Sequence, residues 1–88
     1  MNNNQPKTKH LKVDARAPFH VYYEGPALVV SAVNKVGKFD ILPGHADFFS
    51  VMSPGEVSIE TESDNISFQI TGGIAAVRDD EVMLFVNM

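Results

Sequence analysis

Apolar and polar residues alternate with a period of two along most of this 88-residue chain, in short runs separated by turn residues. The first run ends before Pro18, and a second run over residues 20–24 is expected to stop at Gly25-Pro26. Residues 28–33 are apolar on both sides of the strand, apart from Ser31, and rich in β-branched side chains. That composition predicts a central strand, covered on both faces.

The second half of the chain predicts two antiparallel hairpins. Residues 57–61 and 66–70 alternate between apolar and polar side chains, with Ser63-Asp64-Asn65 as a short polar turn between them. Residues 74–77 and 82–86 flank a charged turn over 78–81. The turn residues therefore set the hairpin ends, and the alternation sets which face each strand buries.

Two adjacent glycines separate these predicted hairpins. Gly72-Gly73 predicts a bulge or a sharp corner where a Cβ would obstruct the chain. No window of eleven or more residues shows the 3.6-residue period of an amphipathic helix. Turn signals every 8–12 residues favour an all-β sandwich or barrel, so the fold class is predicted to be all-β.

Composition excludes several classes of protein and narrows the compartment. The chain has no cysteine, which excludes a disulfide scaffold, a thiolate zinc site and a cysteine nucleophile, and favours a reducing compartment. The longest apolar run has five residues, 82–86, too few for a transmembrane helix. Residues 1–9 are polar and aperiodic, so we interpret them as a disordered tail before a domain over 10–88. This tail lacks the apolar segment of a signal peptide.

Charge is distributed unevenly along the chain. Six basic and two acidic residues precede Asp40, whereas one basic and nine acidic residues occupy positions 40–88. The basic residues are not clustered as phosphate binding requires, so nucleic acid is a poor candidate partner. A protein partner with a basic face would be steered toward the acidic half.

The segment over residues 37–46 departs from simple alternation. Phe39 and Ile41 share one face of a short strand and are expected to anchor it in the core. Pro43-Gly44 then predicts a tight reversal, because proline fixes φ and glycine accepts a positive φ. His45 is presented at the exit of that turn.

This segment resembles the N-terminal β-sandwich domain of the ε subunit of rotary proton-translocating ATP synthases. Residues 37–46 read Gly-Lys-Phe-Asp-Ile-Leu-Pro-Gly-His-Ala, followed by Ser-Pro-Gly at 53–55 and Thr-Gly-Gly-Ile-Ala-Ala-Val at 71–77. Order and spacing both match the family pattern over residues 10–87. The resemblance implies a flattened β-sandwich of about ten short, mostly antiparallel strands, without the C-terminal helical domain of many relatives. We therefore expect no helix-mediated inhibition of ATP hydrolysis from these 88 residues.

The resemblance also implies partners and site residues. His45 and Ser50 match positions that contact the γ subunit, while Gly37, Lys38 and Phe39 match a loop that faces the ring of c subunits. Lys38 stands where many relatives carry Glu, which reverses the charge offered to the ring. The structural turns are expected at two glycine-containing pairs, Pro43-Gly44 and Gly72-Gly73.

An apolar cluster lies between the two Pro-Gly turns. Phe48, Phe49 and Met52 crowd a short segment in which not all side chains can point inward. Exposed apolar clusters on small domains commonly mark binding surfaces. We expect at least one of these residues at the γ interface, and assign Phe49 and Met52 to it together with His45 and Ser50.

No enzyme is predicted. His45 has no Ser or Cys nucleophile in a recognised motif around it, and its spacing from Asp40 and Asp47 is a weak metal pattern. The expectation is a non-catalytic rotor subunit without cofactor, metal or small-molecule substrate, which couples proton flow to ATP synthesis. It would lie on the cytoplasmic face of the bacterial membrane, touching it only through the complex. The alternative is an unrelated β-sandwich protein-interaction module.

Overall fold

The computed structural model describes residues 9–87 as two β-sheets packed face to face. The tail predicted over residues 1–9 lies, apart from Lys9, outside the described residues. The nine strands are β1 Leu11–Ala17, β2 His20–Ala27, β3 Val29–Asn34, β4 Gly37–Ile41, β5 Phe48–Met52, β6 Gly55–Glu60, β7 Asn65–Ile70, β8 Gly72–Arg78 and β9 Glu81–Asn87. The predicted all-β sandwich is confirmed, with nine strands against an expected ten or so. Residues 9–87 form no helix long and apolar enough to cross a membrane.

Strand order fixes which elements are neighbours. The five-stranded sheet has the order β2-β1-β9-β8-β5, and the four-stranded sheet has the order β4-β3-β6-β7. All neighbouring strands are antiparallel except β1 and β9, which run parallel. β3 lies inside its sheet between β4 and β6, so the predicted central position is confirmed, but only one face is buried, through Val30 and Ala32. Both predicted hairpins, β6–β7 and β8–β9, form with continuous register.

The core lies between the two sheets and is built from alternate residues of each strand. In β9 the residues Val82, Leu84 and Val86 are buried while their neighbours are exposed. Ile41 is fully buried and Phe39 packs against the core from its rim, as the shared face of that strand predicted. Burial of such aliphatic side chains, each contributing about 1.5–3 kcal/mol, holds the two sheets together.

Two local predictions need correction. β2 does not stop at Gly25-Pro26 but continues to Ala27. Proline has no N–H to donate to a neighbouring strand, but β2 is an edge strand with no neighbour on its outer side, so Pro26 is tolerated there. Gly72-Gly73 forms neither a bulge nor a corner, since both residues pair in register with β9. The chain crosses between the sheets one residue earlier, at Thr71.

The connections between strands separate into two ends of the sandwich. β5 runs in the same direction as β1. β1 pairs with β9 in parallel, and β5 also runs in the direction of β9 because both are antiparallel to β8, which lies between them. The Ser53 N–H donates to the Val33 carbonyl at 2.8 Å, so β3 also ends there. We call this the apolar end and its opposite the acidic end. The connecting residues of the apolar end are Pro18, Phe19, Lys35, Val36, Ser53, Pro54 and Thr71.

The two ends differ in charge. Within residues 9–87, the connections at the apolar end contain no carboxylate and one lysine, Lys35. The connections at the acidic end are residue 28 and the segments 42–47, 61–64 and 79–80. They carry five carboxylates: Asp47, Glu62, Asp64, Asp79 and Asp80. The uneven charge along the sequence therefore becomes a difference between the ends, while both halves of the chain contribute strands to both sheets.

Candidate protein-interaction site

The outer face of the five-stranded sheet carries a continuous group of exposed apolar side chains. Strand register places Val51 beside Ile74 and Ile74 beside Phe85, and it places Phe49, Ala76 and Met83 in the adjacent row. Phe49 is 68% exposed and Val51 67% exposed. We call this surface the apolar face; it consists of Phe49, Val51, Ile74, Ala76, Met83 and Phe85. Contiguous apolar surface on a small domain is typical of a protein-interaction site.

Charged side chains border the apolar face on β1. Arg16 lies opposite Phe85 and donates from Nε to Asp14 Oδ1 at 2.7 Å and from Nη2 to Asp14 Oδ2 at 2.9 Å. This hydrogen bonding with the Asp14 carboxylate raises the pKa of Arg16 above its ordinary value. The paired charges make this border nearly neutral while leaving its polar atoms at the edge of the apolar face.

Local hydrogen bonding presents His45 at the acidic end. The His45 N–H donates to the Leu42 carbonyl at 3.0 Å, and Gly44 has φ of 87°. With Pro43 before it, this geometry is a type II turn, so the predicted tight reversal is confirmed. His45 Nδ1 lies 2.7 Å from the Ala46 carbonyl oxygen. Because a carbonyl only accepts, Nδ1 carries the proton there, which makes Nε2 the acceptor of the neutral ring.

Two aspartates attach this loop to the β8–β9 turn. The Gly44 N–H donates to Asp80 Oδ1 at 2.8 Å, and the Asp79 N–H donates to Asp47 Oδ1 at 3.1 Å. The His45 ring also packs edge-on against Phe48, with centroids 5.4 Å apart. These contacts therefore hold the His45 ring in one orientation at the surface.

The structure separates the residues assigned to the γ interface. Phe49 points outward on the apolar face, whereas Ser50 faces inward and accepts a hydrogen bond from Asn34 Nδ2 at 3.2 Å. Met52 is only 2% exposed and belongs to the core. We therefore remove Met52 from the interaction surface, because its side chain lies beneath the apolar face. His45 lies at the acidic end, beyond the start of β5.

The residues assigned to a c-ring-facing loop belong to a strand. Gly37, Lys38 and Phe39 form the start of β4, and the tip of the hairpin is Lys35-Val36. Lys38 is exposed, while Phe39 turns inward to Phe48 with ring centroids 5.4 Å apart. Lys38 is therefore available near the apolar end, whereas the side chain of Phe39 supports the packing between the sheets.

Sequence reasoning missed most of the apolar face, although a signal was present. Residues 82–86 are apolar at five successive positions. A strand buried on one face alternates, so a continuous run means that its outward positions, Met83 and Phe85, are apolar too. Ile74 gives the same signal beside Ala75.

No metal-binding cluster is evident within residues 9–87. That part of the chain contains no group of three His, Cys, Asp or Glu side chains placed to hold a metal ion. Asp79 and Asp80 form the tight hairpin turn with φ of 51° and 63°, where the Asp80 carboxylate accepts from the Gly44 N–H and the Asp79 N–H donates to the Asp47 carboxylate. The geometry accordingly describes a two-sheet domain whose most distinctive surface is apolar.

Comparison with known proteins defines the family of this domain. Residues 10–88 match the family described as ATP synthase, delta/epsilon chain, β-sandwich domain. The chain belongs to this family, which argues against an unrelated interaction module. The ATP synthase epsilon chain of Vesicomyosocius okutanii is 36% identical over 75 residues, covering 85% of this chain and 54% of that protein. The epsilon chain of Synechococcus elongatus is 31% identical over 77 residues, covering 88% and 56%.

Solved structures share the fold. A chain in the Euglena gracilis mitochondrial ATP synthase structure, titled OSCP/F1/c-ring in rotational state 1, matches with a TM-score of 0.84 and 18% identity. The match covers 98% of this chain and 56% of that one. A chain in the Tetrahymena thermophila central stalk/c-ring structure matches with a TM-score of 0.77 and 20% identity, covering 94% and 67%. This chain thus spans about half the length of the curated relatives that it matches.

Proposed function

We propose that this chain is a non-catalytic central-stalk subunit of ATP synthase, which binds the γ subunit and the c-ring and so couples proton flow to ATP synthesis. Its family membership and the ATP synthase assemblies that contain its structural neighbours support a place in that complex. The observation that carries the proposal is the apolar face, a surface suited to a protein partner rather than to a substrate.

The apolar face is the proposed γ-binding surface. Its six residues lie on three adjacent strands, β5, β8 and β9, so they form a single area instead of scattered positions. The Asp14–Arg16 pair gives it a polar border, which matches the common arrangement of an apolar centre with a charged rim. Phe49 and Phe85 supply the large side chains that dominate binding energy in such surfaces.

The apolar end is the proposed c-ring contact. The cytoplasmic surface of a membrane is negatively charged, so an end with five carboxylates in its connections would be repelled from it. The apolar end carries Lys35 and exposed Lys38 instead. An orientation with this end toward the membrane-embedded ring is therefore favoured electrostatically, and membrane contact stays indirect, through the complex at its cytoplasmic face.

A rigid domain is sufficient for this role. The two sheets hold the apolar face and the apolar end in a fixed relation, since both are built on strands of one packed core. Force applied at one surface then reaches the other without any chemical step. No cofactor, metal, nucleic acid or small-molecule substrate is required.

Binding to the γ subunit from the same genome tests the proposal. We expect Phe49→Glu and Phe85→Glu each to weaken γ binding at least about tenfold, because a charge would be placed in a desolvated contact. Leu42→Glu is the matched control, since Leu42 is also about half exposed but lies at the acidic end. Isothermal titration calorimetry measures the affinities of the three variants and of the unchanged chain, with circular dichroism to verify folding. Equal affinities of all three variants and the unchanged chain would contradict the proposed surface.

A further inference from the structure

Two large apolar side chains stand at the apolar end with almost no protein around them. Phe19 is fully exposed at the β1–β2 turn, and Val36 is 95% exposed at the β3–β4 turn. Neither belongs to the apolar face, because both lie beyond the strand ends. Exposing an aromatic ring at a turn is unfavourable in water, so these two positions suggest a contact made outside the isolated domain.

The two side chains occupy opposite flanks of the same end. Phe19 follows β1, while Val36 lies next to β5, lining a shallow depression with Phe49 and Val51. β1 and β5 are three positions apart in the five-stranded sheet, which corresponds to about 14 Å at the usual spacing of neighbouring strands. The apolar end therefore presents two separated contacts.

We propose that Phe19 is a second c-ring contact of this chain, which acts together with the Lys35-Val36 turn. The inference rests on the proposed function, since it adds another residue to the apolar end, which is already proposed to contact the c-ring. Within residues 9–87 the connections at this end carry no carboxylate, so Phe19 and the Lys35-Val36 turn meet no charge repulsion as they approach the negatively charged membrane surface around the ring.

Two contacts have a mechanical consequence that one contact lacks. A domain seated only on the Lys35-Val36 turn can tilt about that point under load. A second contact on the opposite flank opposes tilting, because any rotation must break one of the two. The Phe19 side chain thus keeps the sandwich upright on the ring while γ holds its apolar face.

Single cysteines test this arrangement in the assembled complex, because the chain has no cysteine of its own. Phe19→Cys and Val36→Cys are labelled with a benzophenone maleimide, assembled with γ and c-ring-containing membranes, and illuminated. Ser63→Cys, in the β6–β7 turn at the acidic end, is the matched control. We expect c-subunit adducts at positions 19 and 36 and none at position 63.

The outcomes distinguish this inference from the proposed function. A c-subunit adduct at position 36 with only γ, lipid or no adduct at position 19 overturns the role of Phe19 and leaves the proposed function intact. No c-subunit adduct at either position overturns both. As a second measurement, Phe19→Ser should weaken retention of the γ complex on these membranes about tenfold, through loss of apolar burial, whereas Leu42→Ser should leave it unchanged.

Discussion

Gly44 and Asp80, 36 residues apart in sequence, are joined by a hydrogen bond of 2.8 Å from the glycine N–H to the aspartate Oδ1. Asp80 has φ of 63°, and its own carbonyl accepts a hydrogen bond from the Lys12 N–H at 2.8 Å. One turn residue therefore holds the hairpin, the first strand and the loop that carries His45. The acidic residues here have a structural role before any role in binding.

Replacing Asp80 should loosen that loop. Asp80→Ala removes the acceptor of the Gly44 N–H and places alanine at positive φ, and we expect it to lower the free energy of unfolding by about 1–3 kcal/mol. Asp80→Asn keeps an oxygen acceptor and tolerates this φ, so it should stay within about 0.5 kcal/mol of the unchanged chain. Amide hydrogen exchange at Gly44 is the measurement. Equal exchange rates in the two variants would show that the bond is unimportant.

The two adjacent glycines of β8 should differ sharply in their tolerance of alanine. A Cβ on Gly73 would lie 2.2 Å from the Phe85 carbonyl oxygen, so strands β8 and β9 would have to separate. We expect Gly73→Ala to destabilise the domain by more than about 3 kcal/mol. The nearest atom to a Cβ on Gly72 is the Met52 carbonyl oxygen at 3.6 Å, an ordinary contact.

Gly72→Ala therefore serves as the control for the close approach at Gly73. Its φ of 157° still disfavours alanine, so a smaller loss of about 1 kcal/mol is expected. Urea denaturation of both variants gives the two free energies. Similar losses at the two positions would mean that backbone conformation, rather than the contact with Phe85, sets the cost.

Alanine substitutions at two neighbouring residues of β9 should differ in their effect on stability, because one side chain lies in the core and the other on the proposed binding surface. Leu84 is completely buried and Phe85 is 52% exposed on the apolar face. Leu84→Ala should cost about 2–4 kcal/mol of stability through the cavity it leaves. Phe85→Ala should cost less than about 1 kcal/mol, because its ring keeps much of its contact with water in the folded domain. Thermal denaturation measures both changes, and a larger loss from Phe85→Ala would contradict the assignment of the two faces.

The sequence predicted the sheets better than the surface. Alternation and turn residues predicted β6–β7 and β8–β9 correctly, since hairpins depend on short-range pattern and turn geometry. The parallel pairing of β1 with β9 cannot be predicted in this way, because nothing local encodes a contact between strands so far apart in sequence. The burial of Met52 and the exposure of Phe49 follow from which face of β5 meets the core, and that choice depends on the neighbouring strands.

The prediction of the c-ring-facing loop is also wrong about where the turn lies. Residues 37–39 were expected at a loop tip, yet the turn falls at Lys35-Val36 and is closed by Asn34, whose side-chain oxygen accepts from the Val36 N–H at 2.9 Å. Asparagine commonly makes this local bond, so the signal was present. The exposed Phe19 had no such signal, because an aromatic residue after proline is equally compatible with burial.

Charge reversal at the apolar end should weaken docking in a salt-dependent way. Lys35→Glu combined with Lys38→Glu places two carboxylates where the proposed ring contact faces a negatively charged membrane surface. Each lysine near such a surface contributes about 1 kcal/mol, so reversal of both should reduce retention of the γ complex on c-ring-containing membranes by tenfold or more at low salt. The difference should shrink as added salt shortens the range of the interaction.

Lys9→Glu is the matched control for this charge reversal. Lys9 precedes β1 at the acidic end and is exposed, so the substitution changes charge on the same chain but far from the proposed contact. Sedimentation of membranes at several salt concentrations measures the bound fraction of each variant. If Lys9→Glu weakened binding as much per charge as the double reversal, net charge would account for docking. If only the Lys35→Glu/Lys38→Glu variant loses membrane binding, and high salt removes the difference, then the apolar end is the side that faces the ring.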